Sequence, residues 1–109
     1  MAVVAAFSIS PMGGTAVTVD GSVLPAVAEV IRIVRESGLA NETNAMFTNV
    51  EGSLEEVFAL IKRCIEHTAS IAPRVSVVVK LDVRSGHADA IREKVTSVER
   101  LIADGSSTS

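Results

Sequence analysis

The stretch from Met46 to Gly52 holds the densest mixture of groups able to do chemistry. Glu51 brings a carboxylate, Thr48 a hydroxyl, and Met46 and Phe47 soft or flat apolar surface. Ser8 and Ser10 end an earlier apolar run that contains Phe7. If both segments are strands, their pairing brings the two serines near Thr48 and Glu51. A carboxylate, a few hydroxyls and walls of Met46, Phe47 and Phe7 suit a small heteroaromatic ligand. A buried lone carboxylate needs a partner. The competing expectation is therefore that Glu51 only accepts backbone N–H groups at the start of the following helix.

No nucleophile–base pair or metal set stands beside this stretch. His67 and His87 are far apart and lack ligand spacing. Cys64 and His67 lie three residues apart, but a core cysteine beside a helix-end histidine explains them without a metal. Cys64 falls on the apolar stripe of a helix, where a thiol is usually inert. Gly13-Gly14 lacks both the strand–GxGxxG–helix context and a phosphate-binding lysine. Lys80, Asp82 and Arg84 share one strand face and read as an exposed or interface charge ladder. The expected protein is a small binding or structural domain with no catalytic residues, no metal and no resident cofactor, rather than an enzyme.

Composition narrows the partners. Ten basic and 13 acidic residues leave a net charge of −3, and Trp and Tyr are absent. A chain without basic excess or stacking aromatics is a poor match for nucleic acid. No apolar run approaches the ~20 residues that span a bilayer. The apolar start carries no Lys or Arg before Arg32, unlike a signal peptide. One cysteine forbids a disulfide within the chain. A cytoplasmic location is expected. At 109 residues with 48% hydrophobic content, one domain with its own core is expected. We place it at 1–103, with a disordered tail at 104–109.

The elements that must carry these groups follow from periodicity. Residues 3–10 alternate Val3, Ala5, Phe7 and Ile9 against Val4, Ala6, Ser8 and Ser10, which predicts a strand stopped by Pro11. Ser22 as N-cap, Pro25 in the first turn and Gly38 after the last predict a helix over 22–37. Residues 39–52 divide into two short strands, near 40–46 and 48–51. Ser53-Leu54-Glu55-Glu56 is a capping box. It opens a helix over 53–69 whose buried stripe is Leu54, Val57, Phe58, Ile61, Cys64 and Ile65. Residues 74–84 alternate strongly, with Val75, Val77, Val79, Leu81 and Val83 on the core face. Ser85-Gly86-His87 reads as a loop. Ile91, Val95, Val98 and Ile102 then mark a third, amphipathic helix.

The order strand–helix–strand–strand–helix–strand predicts an α+β fold. It is the ferredoxin-like βαββαβ arrangement, with an antiparallel four-stranded sheet and an added C-terminal helix. Both main helices then cover one sheet face. Val4, Ala6 and Val78 point to the other face, which is too apolar for open water. Association with a second copy is expected to cover it, and the third helix is the other candidate.

Taken in order, several segments resemble one known family. Phe7-Ser8-Ile9-Ser10-Pro11-Met12-Gly13 is similar to its opening strand and turn, and Glu36-Ser37-Gly38-Leu39 to the end of its first helix. Ala45-Met46-Phe47-Thr48-Asn49-Val50-Glu51-Gly52 resembles its central Pro-Met-Gly-Thr-x-Ile-Glu-Gly motif. Arg74-Val75 with Lys80, Asp82 and Arg84 resembles its last strand, and Lys94-Val95-Thr96-Ser97-Val98-Glu99 its C-terminal helix. The family is the thiamine-binding protein family of small ferredoxin-like proteins. The resemblance spans residues 3–102. It implies subunits that form dimers and pair into tetramers. It also implies binding of thiamine or its hydroxymethylpyrimidine part, without catalysis. By the motif match, Thr48 and Glu51 are the best ligand contacts, followed by Ser10 and Met46. A carboxyl group could pair with a ring nitrogen or balance the thiazolium cation, hydroxyls could serve the amino group, and Met46 and Phe47 could pack on the rings. Ala45 stands where the family has Pro. Phe47 stands where it has Gly, and its bulk is expected to fill or retune the pocket.

Overall fold

The computed structural model describes residues 1–85 and 90–107. Its elements run β1 (Ala2–Met12), α1 (Leu24–Glu36), β2 (Ala40–Thr43), β3 (Thr48–Gly52), α2 (Leu54–Ala69), β4 (Arg74–Arg84) and α3 (Ala90–Ser107). All strand pairs are antiparallel, and the sheet order is β2-β3-β1-β4. This is the expected ferredoxin-like arrangement, with β1 and β3 central and β2 and β4 at the edges. Gly86 and His87 of the expected loop, and residues 108–109 of the expected tail, lie outside the described residues. The backbone of α3 continues to Ser107, past the expected tail boundary at Asp104.

Alternation along β1 sorts the core. Val3, Ala5 and Phe7 are essentially fully buried, and they pack with Val50 of β3 against Val30, Ile33 and Val34 of α1 and Val57, Leu60, Ile61 and Cys64 of α2. These helices cover one sheet face. Cys64 sits in this core, where burial pushes its thiol up to about 11, so it stays protonated and unreactive at neutral pH.

Local chemistry sets the helix boundaries. The Ser53 hydroxyl accepts from the Glu56 N–H at 3.2 Å and the Glu56 carboxylate accepts from the Ser53 N–H at 3.1 Å, completing the expected capping box. These bonds hold the Glu56 carboxyl below its ordinary range. Gly38 adopts φ +81° just past α1, the left-handed position that glycine occupies without strain. Ser22 accepts from the Leu24 N–H at 3.2 Å, although the helix begins two residues later than expected.

Three expectations are corrected. Pro11 does not end β1: it is buried and pairs with Val75. The β3 partner stops at Thr48 opposite Phe7, so beyond Phe7 one edge of β1 is vacant and a missing N–H is tolerated there. On α2, Phe58 is 50% exposed and Leu54 is also exposed, while Leu60 is buried. The core therefore lies one step round the helix from the expected stripe. Finally, Val79 and Val83 of β4 are exposed, because β4 is an edge strand that the two main helices only partly cover.

Candidate functional site

The β2–β3 hairpin builds the site. Thr43 pairs with Thr48, and the connection is the short loop Asn44-Ala45-Met46-Phe47. The Asn44 N–H donates to the Phe47 carbonyl at 3.0 Å. The Asn44 side-chain oxygen accepts from the backbone N–H groups of both Met46 and Phe47, each at 2.9 Å. An asparagine bonding its own backbone two residues on is a turn-forming device. It folds the loop back over the end of β1, beside α1.

Between loop, strand and helix lies a pocket of about 210 Å³. Phe7 and Ile9 of β1 and Val27, Val30 and Ile31 of α1 give it apolar walls, and Phe47 borders it from the loop side with the exposed Met46 at its rim. Thr43, Asn44 and Thr48 supply its polar side chains, while Ser8, between Phe7 and Ile9, lines it along the strand with its own side chain on the opposite face. Thr48 is only 8% exposed, and its hydroxyl has no partner among the described residues. None of the residues lining this pocket is charged. A cavity of roughly 150 Å³ accommodates a benzene ring, so this one has the volume of a single substituted six-membered ring. It falls short of the roughly 300 Å³ at which sites for larger ligands begin.

The structure therefore brings Ser8, Met46, Phe47 and Thr48 together and places Ser10 and Glu51 elsewhere. Thr48 shares a face with Phe7, its pairing partner. Glu51, three residues on, falls on the opposite face, across from Val4 on one side and Ala40 on the other. It is buried at 9% exposure and already engaged with the protein. Ser10 is exposed opposite Ser76, one residue past the pocket wall at Ile9 and outside the lining. Sequence reasoning missed Thr43, Asn44 and the α1 residues. The asparagine at the start of the loop was the readable signal for the turn.

The opposite face carries a second cavity, of about 600 Å³, between the sheet and α3. Val4 and Ala6 form its floor, and Val95 and Val98 line it from the helix. Glu42, Lys80, Asp82, Lys94 and Glu99 also line it. Lys94 bonds Asp82 at 3.2 Å, and Arg84 lies 3.5 Å from the same carboxylate. The bond from Lys94, with Arg84 and Lys80 nearby, holds Asp82 below its ordinary range. The third helix thus takes the covering role considered for it, but incompletely. Val95, Val98, Leu101 and Ile102 each remain more than half exposed. Among the described residues, no group of three or more His, Cys, Asp or Glu is placed to hold a metal. Among them too, no helix is long and apolar enough to cross a membrane.

Fold and pocket define a small ferredoxin-like domain with an uncharged cavity the size of one ring. Residues 5–99 match the family described as thiamine-binding protein, and the chain belongs to that family. It is 48% identical over 103 residues to the UPF0045 protein Mb1933 of Mycobacterium bovis, covering 94% of this chain and 96% of that one. The crystal structure of the hypothetical protein MJ1052 of Methanocaldococcus jannaschii aligns with TM-score 0.77 at 32% identity, covering 90% of this chain and 96% of that one. A Thermotoga maritima protein, TM0486, presented as a candidate thiamine biosynthesis/salvage protein, has the same fold with TM-score 0.75 at 22% identity. That alignment covers 90% of this chain and 99% of the other.

Proposed function

We propose that the protein binds thiamine or its hydroxymethylpyrimidine moiety without turning it over, and that the pyrimidine ring occupies the pocket beneath the β2–β3 hairpin. The observation that carries this reading is the convergence of Ser8, Met46, Phe47 and Thr48 on one cavity of about 210 Å³. Thr48 offers a hydroxyl that can donate to a ring nitrogen or accept from the amino group. Phe47 and Met46 offer flat and polarisable contact. The thiazolium ring of intact thiamine then stays outside, because the pocket has room for one ring and no lining carboxylate. Phe47 narrows the pocket without filling it.

The same reading has the chain assembling with itself, through the face that carries α3. A helix with Val95, Val98, Leu101 and Ile102 exposed is a surface that association covers. That stripe also favours a second reading, an oligomeric structural or regulatory module with no small ligand. Calorimetric titration of ligand-stripped protein with hydroxymethylpyrimidine, then thiamine, separates the two. Saturable binding near one per subunit, weakened by Thr48→Ala, is expected. No heat with either compound in a folded protein would leave the module reading in its place.

A further inference from the structure

We infer that Asn44 is the specificity-determining residue of this pocket, presenting its side-chain NH₂ to an unprotonated nitrogen of a heteroaromatic ring. The inference rests on the proposed pyrimidine-binding reading and names the group that distinguishes such a ring from a plain benzene.

The carboxamide's own hydrogen bonds set its orientation. Its oxygen is committed twice over, accepting from the Met46 and Phe47 N–H groups at 2.9 Å each. Those bonds assign the oxygen and nitrogen, since a flipped amide would aim NH₂ at two N–H donors. They also fix the amide plane, and they leave the NH₂ as the group free to act. It has no partner among the described residues, while Asn44 lines the pocket. The other polar side chains of the lining are the hydroxyls of Thr43 and Thr48. A hydroxyl rotates and serves as donor or acceptor, so it does not tell a ring nitrogen from an amino group. An amide NH₂ only donates. Held by the turn, it rewards a ring atom with a lone pair and leaves a C–H in its place unmatched. Asn44 is therefore both a hinge of the turn and a ligand contact, and substitutions can separate these roles. Asn44→Asp keeps an oxygen for the two N–H groups but replaces the donor with an acceptor. Asn44→Ala removes both.

The test compares two ligands at alkaline pH, where the pyrimidine is neutral. One is hydroxymethylpyrimidine. The other is 2-aminobenzyl alcohol, which keeps the amino and hydroxymethyl groups but has no ring nitrogen. The native protein should prefer the pyrimidine by about tenfold, the scale of one hydrogen bond. The ¹⁵N side-chain amide signal of Asn44 should shift on titration. Asn44→Asp should abolish the preference while leaving the Met46 and Phe47 amide signals near their native positions. Pyrimidine binding with the Asn44 signal unmoved, or with the preference intact in Asn44→Asp, would overturn this inference and leave the binding reading standing. No binding of the pyrimidine to folded native protein would overturn both.

Discussion

The two faces of the sheet are made from alternate residues of the same strands, yet they end in different states. On one face, Val3, Ala5, Phe7 and Val50 lie at 0–1% exposure beneath α1 and α2. On the other, Val4 and Ala6 are half-buried and Val78 is exposed, with α3 lying over a charged cavity. Hydrophobic alternation does not account for the difference, because both faces of β1 begin with apolar residues. The connections do. Each crossover helix returns to the first face and packs there, whereas α3 leaves the edge strand β4 and meets a face already rich in charge. The first face therefore carries only a small pocket at its rim. The second carries a wide cavity and an exposed stripe.

Truncation of the core gives the largest contrast. Phe7→Ala should cost about 3–5 kcal/mol in urea unfolding, because it leaves a cavity under both helices. Val98→Ala on the α3 stripe should change subunit stability by no more than about 0.5 kcal/mol. Equal losses at the two positions would mean that α3 is as firmly packed as the main helices.

Assembly is the next lever. Val95→Glu with Val98→Glu should lower the light-scattering mass toward the 11.4 kDa of a single chain, with ring binding preserved. A native protein already at that mass in micromolar solution would remove self-association from the reading of this face.

Affinity should also divide by face. Thr48→Ala removes a hydroxyl from the pocket and should weaken hydroxymethylpyrimidine binding about tenfold, the scale of one hydrogen bond. Glu51→Gln, on the far side of the sheet, should leave that affinity unchanged by calorimetry. A larger loss at Glu51 than at Thr48 would move the ligand to the α3 face.

The smallest effect concerns the tie between α3 and the sheet. The Lys94 bond to Asp82 lowers the folded pKa of Asp82 below its ordinary 3.8. A lowered folded value means that the contribution is present above the unfolded value and lost as pH falls through the folded one. Protection of the α3 amides, relative to their intrinsic exchange rate, should therefore fall below about pH 4 while the core stays protected. Asp82→Asn should give a similar loss of protection at neutral pH. Exchange in α3 that is indifferent to both changes would show that the ion pair contributes nothing to holding the helix.

Most of the architecture was legible because it rests on local physics. The extent of the strand over 74–84, the Ser53–Glu56 capping box and the glycine after the first helix all read correctly from nearest neighbours. The capping hydroxyl and the left-handed glycine act within a few residues of themselves. The site was half legible. Ser8, Met46, Phe47 and Thr48 were named and do meet, and Asn44 could have been found as a turn-forming asparagine. Glu51 was grouped with Thr48 because they are close in sequence, although an odd spacing along a strand puts two side chains on opposite faces.

By itself, then, the sequence determined the elements, their order and hence the sheet's topology, since propensity, capping and alternation are short-range and the crossover rules leave few alternatives. Only the tertiary structure decided that Pro11 stays within its strand, that Phe58 faces out, and that Val27, Val30 and Ile31 of α1 wall the pocket. These depend on where β3 ends beside β1, on the edge position of β4, and on how α1 lies against the hairpin, distances that no local pattern encodes.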